Sequence, residues 1–204
     1  MKKQFIFVIG GIIILLILAG LIYYFWPQIS SLFNQQQNDN VFVIGEEDDR
    51  TEFLKLTDEQ IPEDRKDVYY AAVEKLQTAP YDKASCLNLG YTYWYIGEYD
   101  YAVKAFDQHL KTDPYDPEAL LGMARVRVKE GRYAEAEEYF YDILELFPFY
   151  IIAYKELLAV YEEGNWPPNP KFRQEILYAL EQEGAEEYEE QLNGFLLEFT
   201  ELGG

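Results

Sequence analysis

The hydrophobic pattern between residues 83 and 150 repeats with a period of 34 residues. Each period holds two runs with apolar residues at helical spacing, and a glycine separates the runs, Gly97 in the first period and Gly131 in the second. Glycine tolerates the positive φ angle at which many helices end. Pro114 and Pro148 close the two periods, and proline cannot continue a helix. The pattern predicts two helix–turn–helix units, residues 83–116 and 117–150.

Side chains of the same kind occupy matched places in the two units. Small residues let two helices approach closely, and aromatic residues fill the space beside them. A 34-residue helix–turn–helix period with small, aromatic and closing proline residues at fixed places resembles the tetratricopeptide repeat (TPR) family. The resemblance implies an all-α, short helix–turn–helix solenoid that binds peptides or proteins. The matched pairs are Gly90 with Ala124, Ala102 with Ala136, Tyr99 with Tyr133, and Phe106 with Phe140.

Incomplete repeats are predicted on both sides of the full ones, so that the repeat domain spans 61–204. A half-repeat covers 61–82, and its helix begins either at the capping box of residues 57–60 or after Pro62. A degenerate repeat covers 151–183 and is interrupted by three prolines between 167 and 170. A final helix over 185–200 is rich in glutamate. It is interpreted either as the polar cap of the solenoid or as an acidic docking helix.

An uncharged apolar run from Phe5 to Trp26 predicts a transmembrane signal-anchor within residues 1–27. Its 22 residues exceed the roughly 20 that cross a bilayer core. A cleaved signal peptide is the alternative, but its apolar region is shorter and ends in a small-residue cleavage site. Lys2 and Lys3 precede the run and no Lys or Arg follows before Arg50, which predicts a cytoplasmic N-terminus and an extracytoplasmic repeat domain in the cytoplasmic membrane. The basic start and compact anchor are typical of bacterial proteins.

The polar and acidic residues 28–60 predict a flexible tether between the anchor and the repeats. The asparagine- and glutamine-rich part, residues 34–40, has nothing to bury. The apolar segment Val41–Ile44 is interpreted either as a short docked strand or as part of the linker.

Composition and charge narrow the classes of function. The formal net charge of −20 disfavours nucleic-acid binding, because an anionic domain repels phosphates. The single cysteine, Cys86, excludes an internal disulfide and is expected to be a buried small residue. The single histidine, His109, matches Ile143 of the next repeat, a packing position, and is expected to be a partly buried structural group. No phosphate loop or serine elbow is present, so we expect no enzyme activity, cofactor or metal.

The resemblance also implies a concave groove, because TPR residues five, nine, twelve and thirteen of each repeat tend to face it. The family's carboxylate-clamp pattern has Lys and Asn at positions five and nine, where this chain has Leu87 and Tyr91, so clamping of a chaperone tail is not expected. The residues that match the groove positions are Leu87, Tyr91, Trp94 and Tyr95 in the first repeat, Leu121, Arg125, Val128 and Lys129 in the second, and Lys155 and Ala159 in the third.

Two interpretations of these positions remain open. In one, the cationic trio of Arg125, Lys129 and Lys155 lies beside an aromatic wall and holds an acidic or C-terminal carboxylate peptide. In the other, the cations neutralise nearby acids while the aromatic residues pack against the half-repeat. Either way the sequence predicts a membrane-anchored scaffold or adaptor with protein partners in an envelope, export or folding assembly. The alternatives are a structural arm of a multi-subunit enzyme or transport complex, and a cleaved, secreted TPR domain.

Overall fold

A computed structural model describes residues 41–44, 51–164 and 166–204. The chain divides into two compact units, Met1–Val43 with Glu52–Leu56, and Ile44–Thr51 with Thr57–Gly204. The predicted membrane span at 5–26 and much of the predicted tether lie outside the described residues. Within the described ranges, no helix combines the length and the apolar character needed to cross a bilayer.

Two short strands lie within residues 28–60, the part of the chain predicted to form a tether before the all-α repeats. Strands β1 (Val41–Ile44) and β2 (Thr51–Leu54) are paired in a two-stranded sheet. In the first unit the ring of Phe42 stacks on that of Phe53, with the ring centroids 5.4 Å apart, and Phe53 is fully buried. Of the two interpretations of Val41–Ile44, the strand is the one observed.

The second unit contains the helical repeats predicted from the 34-residue period. In the half-repeat and the two full repeats, helices adjacent in sequence pack against each other, and the first helices of the two full repeats also contact one another. The helices of the half-repeat and the two full repeats are α1 (Lys66–Thr78), α2 (Lys83–Ile96), α3 (Tyr99–Leu110), α4 (Pro117–Lys129) and α5 (Tyr133–Leu146).

The turns within the two full repeats use the glycines that the sequence pattern singled out, and an aspartate begins the first helix of each repeat. Gly97 and Gly131 have φ angles of 85° and 73°, so both glycine turns are confirmed. Asp82 and Asp116 cap the N-termini of α2 and α4 with their side chains, which accept hydrogen bonds from backbone N–H groups of the first turn. The helix of the half-repeat does not begin at residues 57–60; a 3-10 turn, Glu63–Arg65, follows Pro62 and leads into α1.

A third helical pair and a final helix complete the second unit. Helices α6 (Ile151–Glu163) and α7 (Lys171–Leu180) are separated by the proline-rich segment, as predicted. The final helix α8 (Glu189–Glu201) begins later than expected, because Gly184 has a φ angle of 91° and a 3-10 turn, Ala185–Glu187, comes first. Helix α8 packs on α6 and α7, which buries Leu192 and Phe199.

The junction between the first two full repeats is packed around Phe106. Its ring is fully buried and lies against the backbone of two first helices, at Gly90 in α2 and Gly122 in α4. A Cβ atom at Gly90 would come within 2.5 Å of the ring, and one at Gly122 would also overlap it. Glycine is therefore required at both places for α2 and α4 to approach this closely.

Candidate functional site

A groove of about 620 Å³ lies where the second and third repeats meet. The first helices of three consecutive repeats, α2, α4 and α6, contribute to its walls, and α5 contributes two aromatic side chains. The groove is lined by Trp94, Arg125, Val128, Lys129, Tyr133, Phe140, Glu156, Ala159, Val160, Glu163 and Gly164.

Three residues at the same place in successive repeats differ in the contacts that they make. Tyr91, Arg125 and Ala159 are spaced by 34 residues. The hydroxyl of Tyr91 donates a hydrogen bond to the carbonyl oxygen of Glu118 in α4, at 2.8 Å, and Arg125 reaches across to Glu156 in α6. Ala159 has no side chain long enough for a similar contact. Ala159, with its short side chain, forms part of the groove surface.

Arg125 is held in place by partners within the chain. Its Nε donates to both carboxylate oxygens of Glu156, at 3.1 and 3.0 Å, and Nη2 donates to Oε1 at 2.5 Å. The guanidinium carbon lies 5.7 Å from the centre of the Tyr91 ring and 6.0 Å from that of Trp94. Burial lowers the pKa of Arg125, but the hydrogen bonds and charge of Glu156 outweigh it and the net pKa is raised. Glu156 therefore balances the charge of Arg125.

The predicted cationic trio is not brought together in the groove. Arg125 and Lys129 both line it, whereas Lys155 is exposed and is not among its lining residues. Within the part of the chain that the structure describes, Lys129 and Lys155 form no ion pair. Lys129 is thus the groove cation whose ammonium group is available to a partner, while Lys155 offers its charge elsewhere on the surface.

The other predicted groove residues have different roles. Leu121 is buried in the hydrophobic core, and Leu87 and Tyr91 are half-buried away from the groove lining. Tyr95 is 58% exposed, and the guanidinium of Arg65, just before α1, lies over its ring at 5.2 Å. Tyr95 therefore contacts Arg65 of the half-repeat while remaining mostly exposed, whereas Trp94 and Val128 line the groove.

A buried polar network behind the groove was not foreseen from the sequence. The carboxylate of Glu137, in α5, accepts hydrogen bonds from the Tyr161 hydroxyl, at 2.5 Å, and from the indole N–H of Trp166, at 3.3 Å. The ring centroid of Trp166 lies 6.1 Å from the ring centroid of Tyr133, a residue that lines the groove. The network thus fixes the proline-rich segment against the groove wall. Burial is the first cause that raises the pKa of Tyr161, and its hydrogen bond to Glu137 adds to the effect.

Cys86 is buried, as predicted, and His109 is more deeply buried than the partial burial expected for it. Cys86 is fully buried, and burial raises the pKa of its thiol to about 12, so that it is protonated at neutral pH. His109 is 2% exposed. The structure also places His109 close to Asp113 and Asp116, whose potential ligand atoms all lie within 4.8 Å of one another. This juxtaposition of a histidine and two carboxylates was not recognised in the sequence.

These features define a helical-repeat protein with a groove formed by successive first helices. Residues 87–151 match the family model described as tetratricopeptide repeat, which covers most of the two full repeats. A search of curated proteins found no match to the chain. The match over this segment supports a tetratricopeptide-repeat protein and a general role as a scaffold for protein–protein interaction.

Proposed function

We propose that this protein is a membrane-anchored TPR scaffold or adaptor that holds a short segment of a partner protein in the groove between α4 and α6. The observation that carries the proposal is the groove itself, which is open beside Ala159 and has Lys129 in its wall. Its volume of about 620 Å³ falls within the usual range of about 300–1,000 Å³ for binding pockets. The proposed role is recognition, with no catalytic step.

The groove surface favours a partner segment that has both an apolar side chain and a carboxylate. Trp94, Val128 and Ala159 offer apolar surface, and Lys129 offers an ammonium group. The guanidinium of Arg125 forms a fixed part of the groove wall, because it is hydrogen-bonded to the carboxylate of Glu156. A side-chain or C-terminal carboxylate beside Lys129 would gain a charge-assisted hydrogen bond in a partly desolvated place. The partner is therefore proposed to be a short acidic peptide segment.

Membrane attachment is proposed from the uncharged run at residues 5–26. Lys2 and Lys3 before it favour a cytoplasmic N-terminus, with the repeat domain on the outer face of the cytoplasmic membrane of a bacterium. Attachment to the membrane would raise the effective concentration of the groove near partners in the same membrane. An envelope, export or folding assembly is the setting that suits such a scaffold.

A pair of charge reversals tests the groove. Lys129→Glu and Lys155→Glu remove the same charge from α4 and α6, but only Lys129 lines the groove. Each variant is expressed in cells at the level of the parent and assayed by proximity labelling from the C-terminus, with helix content checked by circular dichroism. We expect Lys129→Glu to lose the enriched partners and Lys155→Glu to retain them. Equal enrichment with both variants would exclude the groove as the recognition surface.

A topology reporter at the C-terminus, together with the mass of the mature N-terminus, tests the membrane proposal. We expect an extracytoplasmic signal and an intact residue 1–27 segment. A cytoplasmic signal would contradict the orientation, and a mature chain that begins after residue 26 would identify a cleaved export signal.

A further inference from the structure

The imidazole of His109, the single histidine of the chain, has one nitrogen satisfied and one without a hydrogen-bond partner. Nδ1 lies 2.9 Å from the carbonyl oxygen of Lys83, the first residue of α2. Because a carbonyl oxygen only accepts, this contact requires the hydrogen to be on Nδ1. In the neutral ring Nε2 then carries a lone pair, and Nε2 is buried without a hydrogen-bond partner among the described residues.

Nε2 faces carboxylates. It lies 3.3 Å from Oδ2 of Asp116, and an oxygen of Asp113 completes a group whose members are all within 4.8 Å of each other. A lone pair opposed to a carboxylate in a buried place is unfavourable, so a positively charged species belongs between them. A proton on Nε2 is one candidate, and a metal cation shared with both carboxylates is the other.

We propose that His109, Asp113 and Asp116 form a site for a divalent first-row transition cation of the zinc type. Zinc lies about 2.0–2.1 Å from nitrogen and oxygen ligands, which places two ligands of a tetrahedral ion about 3.3–3.4 Å apart. The 3.3 Å between Nε2 and Asp116 Oδ2 matches this separation. Three protein ligands leave a fourth position for water or for an incoming group.

The surroundings hold two of the proposed ligands in the required orientation. The hydrogen bond from Nδ1 to Lys83 O is the outer contact that metal-bound histidines commonly make. Oδ1 of Asp116 accepts hydrogen bonds from the N–H groups of Glu118 and Ala119, at 2.9 and 3.1 Å, which leaves Oδ2 for the ion. Asp116 therefore caps α4 with one oxygen and faces His109 with the other.

The arrangement belongs to one junction and is not a property of the repeat. The positions 34 residues further along hold Ile143, Phe147 and Tyr150, which do not provide a comparable ligand set. The ammonium of Lys83 is the competitor for Asp113, since Nζ lies 2.6 Å from Oδ2. Its side chain is 49% exposed, so that it can turn into solvent when a metal ion binds.

The proposal is tested on the untagged full-length chain with Zn²⁺ as the probe. Nuclear magnetic resonance reports the state of the His109 ring, and calorimetry measures the affinity for Zn²⁺. Without metal we expect the hydrogen on Nδ1, and stoichiometric Zn²⁺ should shift the Nε2 resonance. Asp113→Asn should weaken Zn²⁺ binding at least about 10-fold, as loss of a ligand exceeds the effect of losing an outer contact. Lys83→Gln should strengthen it. The matched control Glu138→Gln, on the exposed surface of α5, should leave it unchanged.

Two results would overturn the site. A ring that carries hydrogens on both nitrogens and does not respond to Zn²⁺ would identify an internal His109–Asp116 ion pair. Binding with the same affinity in Asp113→Asn and in the parent would assign the Zn²⁺ to other carboxylates. Mg²⁺, which prefers oxygen ligands, should not shift Nε2 at the same concentration.

Discussion

The two junctions between successive first helices, α2 with α4 and α4 with α6, differ in chemistry. At the first junction Tyr91 donates a neutral hydrogen bond to the backbone of α4, and the Phe106 ring fills the space beside Gly122. At the second, Arg125 stands in the place of Tyr91 and Glu156 in the place of Gly122, and the two form an ion pair.

This difference shows that the same repeat motif accommodates two kinds of contact between successive first helices. The first junction is closed by close packing of backbone on a ring, and its distinctive polar group, His109, lies where the second has the buried Ile143. The second junction has a charged pair at its surface and leaves the groove open towards Ala159. Stability is therefore expected to depend most on packing at the first junction, and recognition on the surface of the second.

Substitution of Gly122 by valine should produce the largest loss of stability. The new side chain would overlap the buried Phe106 ring and force α2 and α4 apart, and such overpacking costs about 1–3 kcal/mol. Denaturant unfolding measures the effect. Gly194 in α8 provides the control, because a Cβ there meets no atom within 4 Å, and Gly194→Ala should stabilise by up to about 1 kcal/mol. A Gly122→Val variant as stable as the parent would show that the first junction is not closely packed.

The polar contacts of the two junctions should differ in strength. Glu156→Gln removes a charge from the pair with Arg125, and we expect a loss of about 1–2 kcal/mol, limited by partial solvent exposure. Tyr91→Phe removes one neutral hydrogen bond and should cost about 0.5–1.5 kcal/mol. Unfolding in low and high salt separates the two, because only the loss in Glu156→Gln should shrink with salt. Equal salt dependence of the two losses would contradict the assignment of an ion pair to the second junction and a neutral hydrogen bond to the first.

The helix caps should have the smallest effect and a distinctive pH dependence. The side-chain and backbone hydrogen bonds from Ser85 lower the pKa of Asp82. A folded pKa below the unfolded value contributes stability above about pH 4, and this contribution is lost as the pH falls through the folded pKa. Asp82→Asn retains a capping oxygen, so it should cost less than about 1 kcal/mol at neutral pH.

The difference in the free energy of unfolding between the parent and Asp82→Asn is measured by denaturant unfolding at several values between neutral and acid pH. The gap between them should close as the pH falls. Asp100→Asn, an exposed carboxylate in the first turn of α3, is the matched control for loss of one charge. A gap for Asp82→Asn that stays constant with pH would show that its carboxylate is not specifically stabilised in the folded state.

The repeat architecture could be predicted because its signals are local and periodic. Gly97 and Gly131 mark turns through the backbone angles that they permit, and the prolines mark helix ends. The strands were harder to foresee, because they are short segments set among polar and acidic residues, and their pairing depends on two segments that are separate in the sequence. Periodicity alone cannot reveal such pairing.

The candidate groove could be predicted only in part. Trp94, Arg125, Val128 and Lys129 lie at groove positions expected from the TPR resemblance and line the groove. The sequence did not show that Glu156 would neutralise Arg125, since the two lie 31 residues apart and their contact depends on how α4 and α6 pack. The approach of His109 to Asp116 was not foreseen either, because it depends on the geometry of the turn between α3 and α4.

Site-specific photo-crosslinking in living cells is the most direct test of the central claim that the groove at the second junction recognises a protein segment. A photoreactive amino acid is placed at Val128, in the groove, or at Leu177, an exposed residue of α7 outside it. The account predicts a discrete crosslinked partner from position 128 that disappears with Lys129→Glu, and none from position 177. The same partner crosslinked equally from both positions, or from position 177 alone, would contradict it.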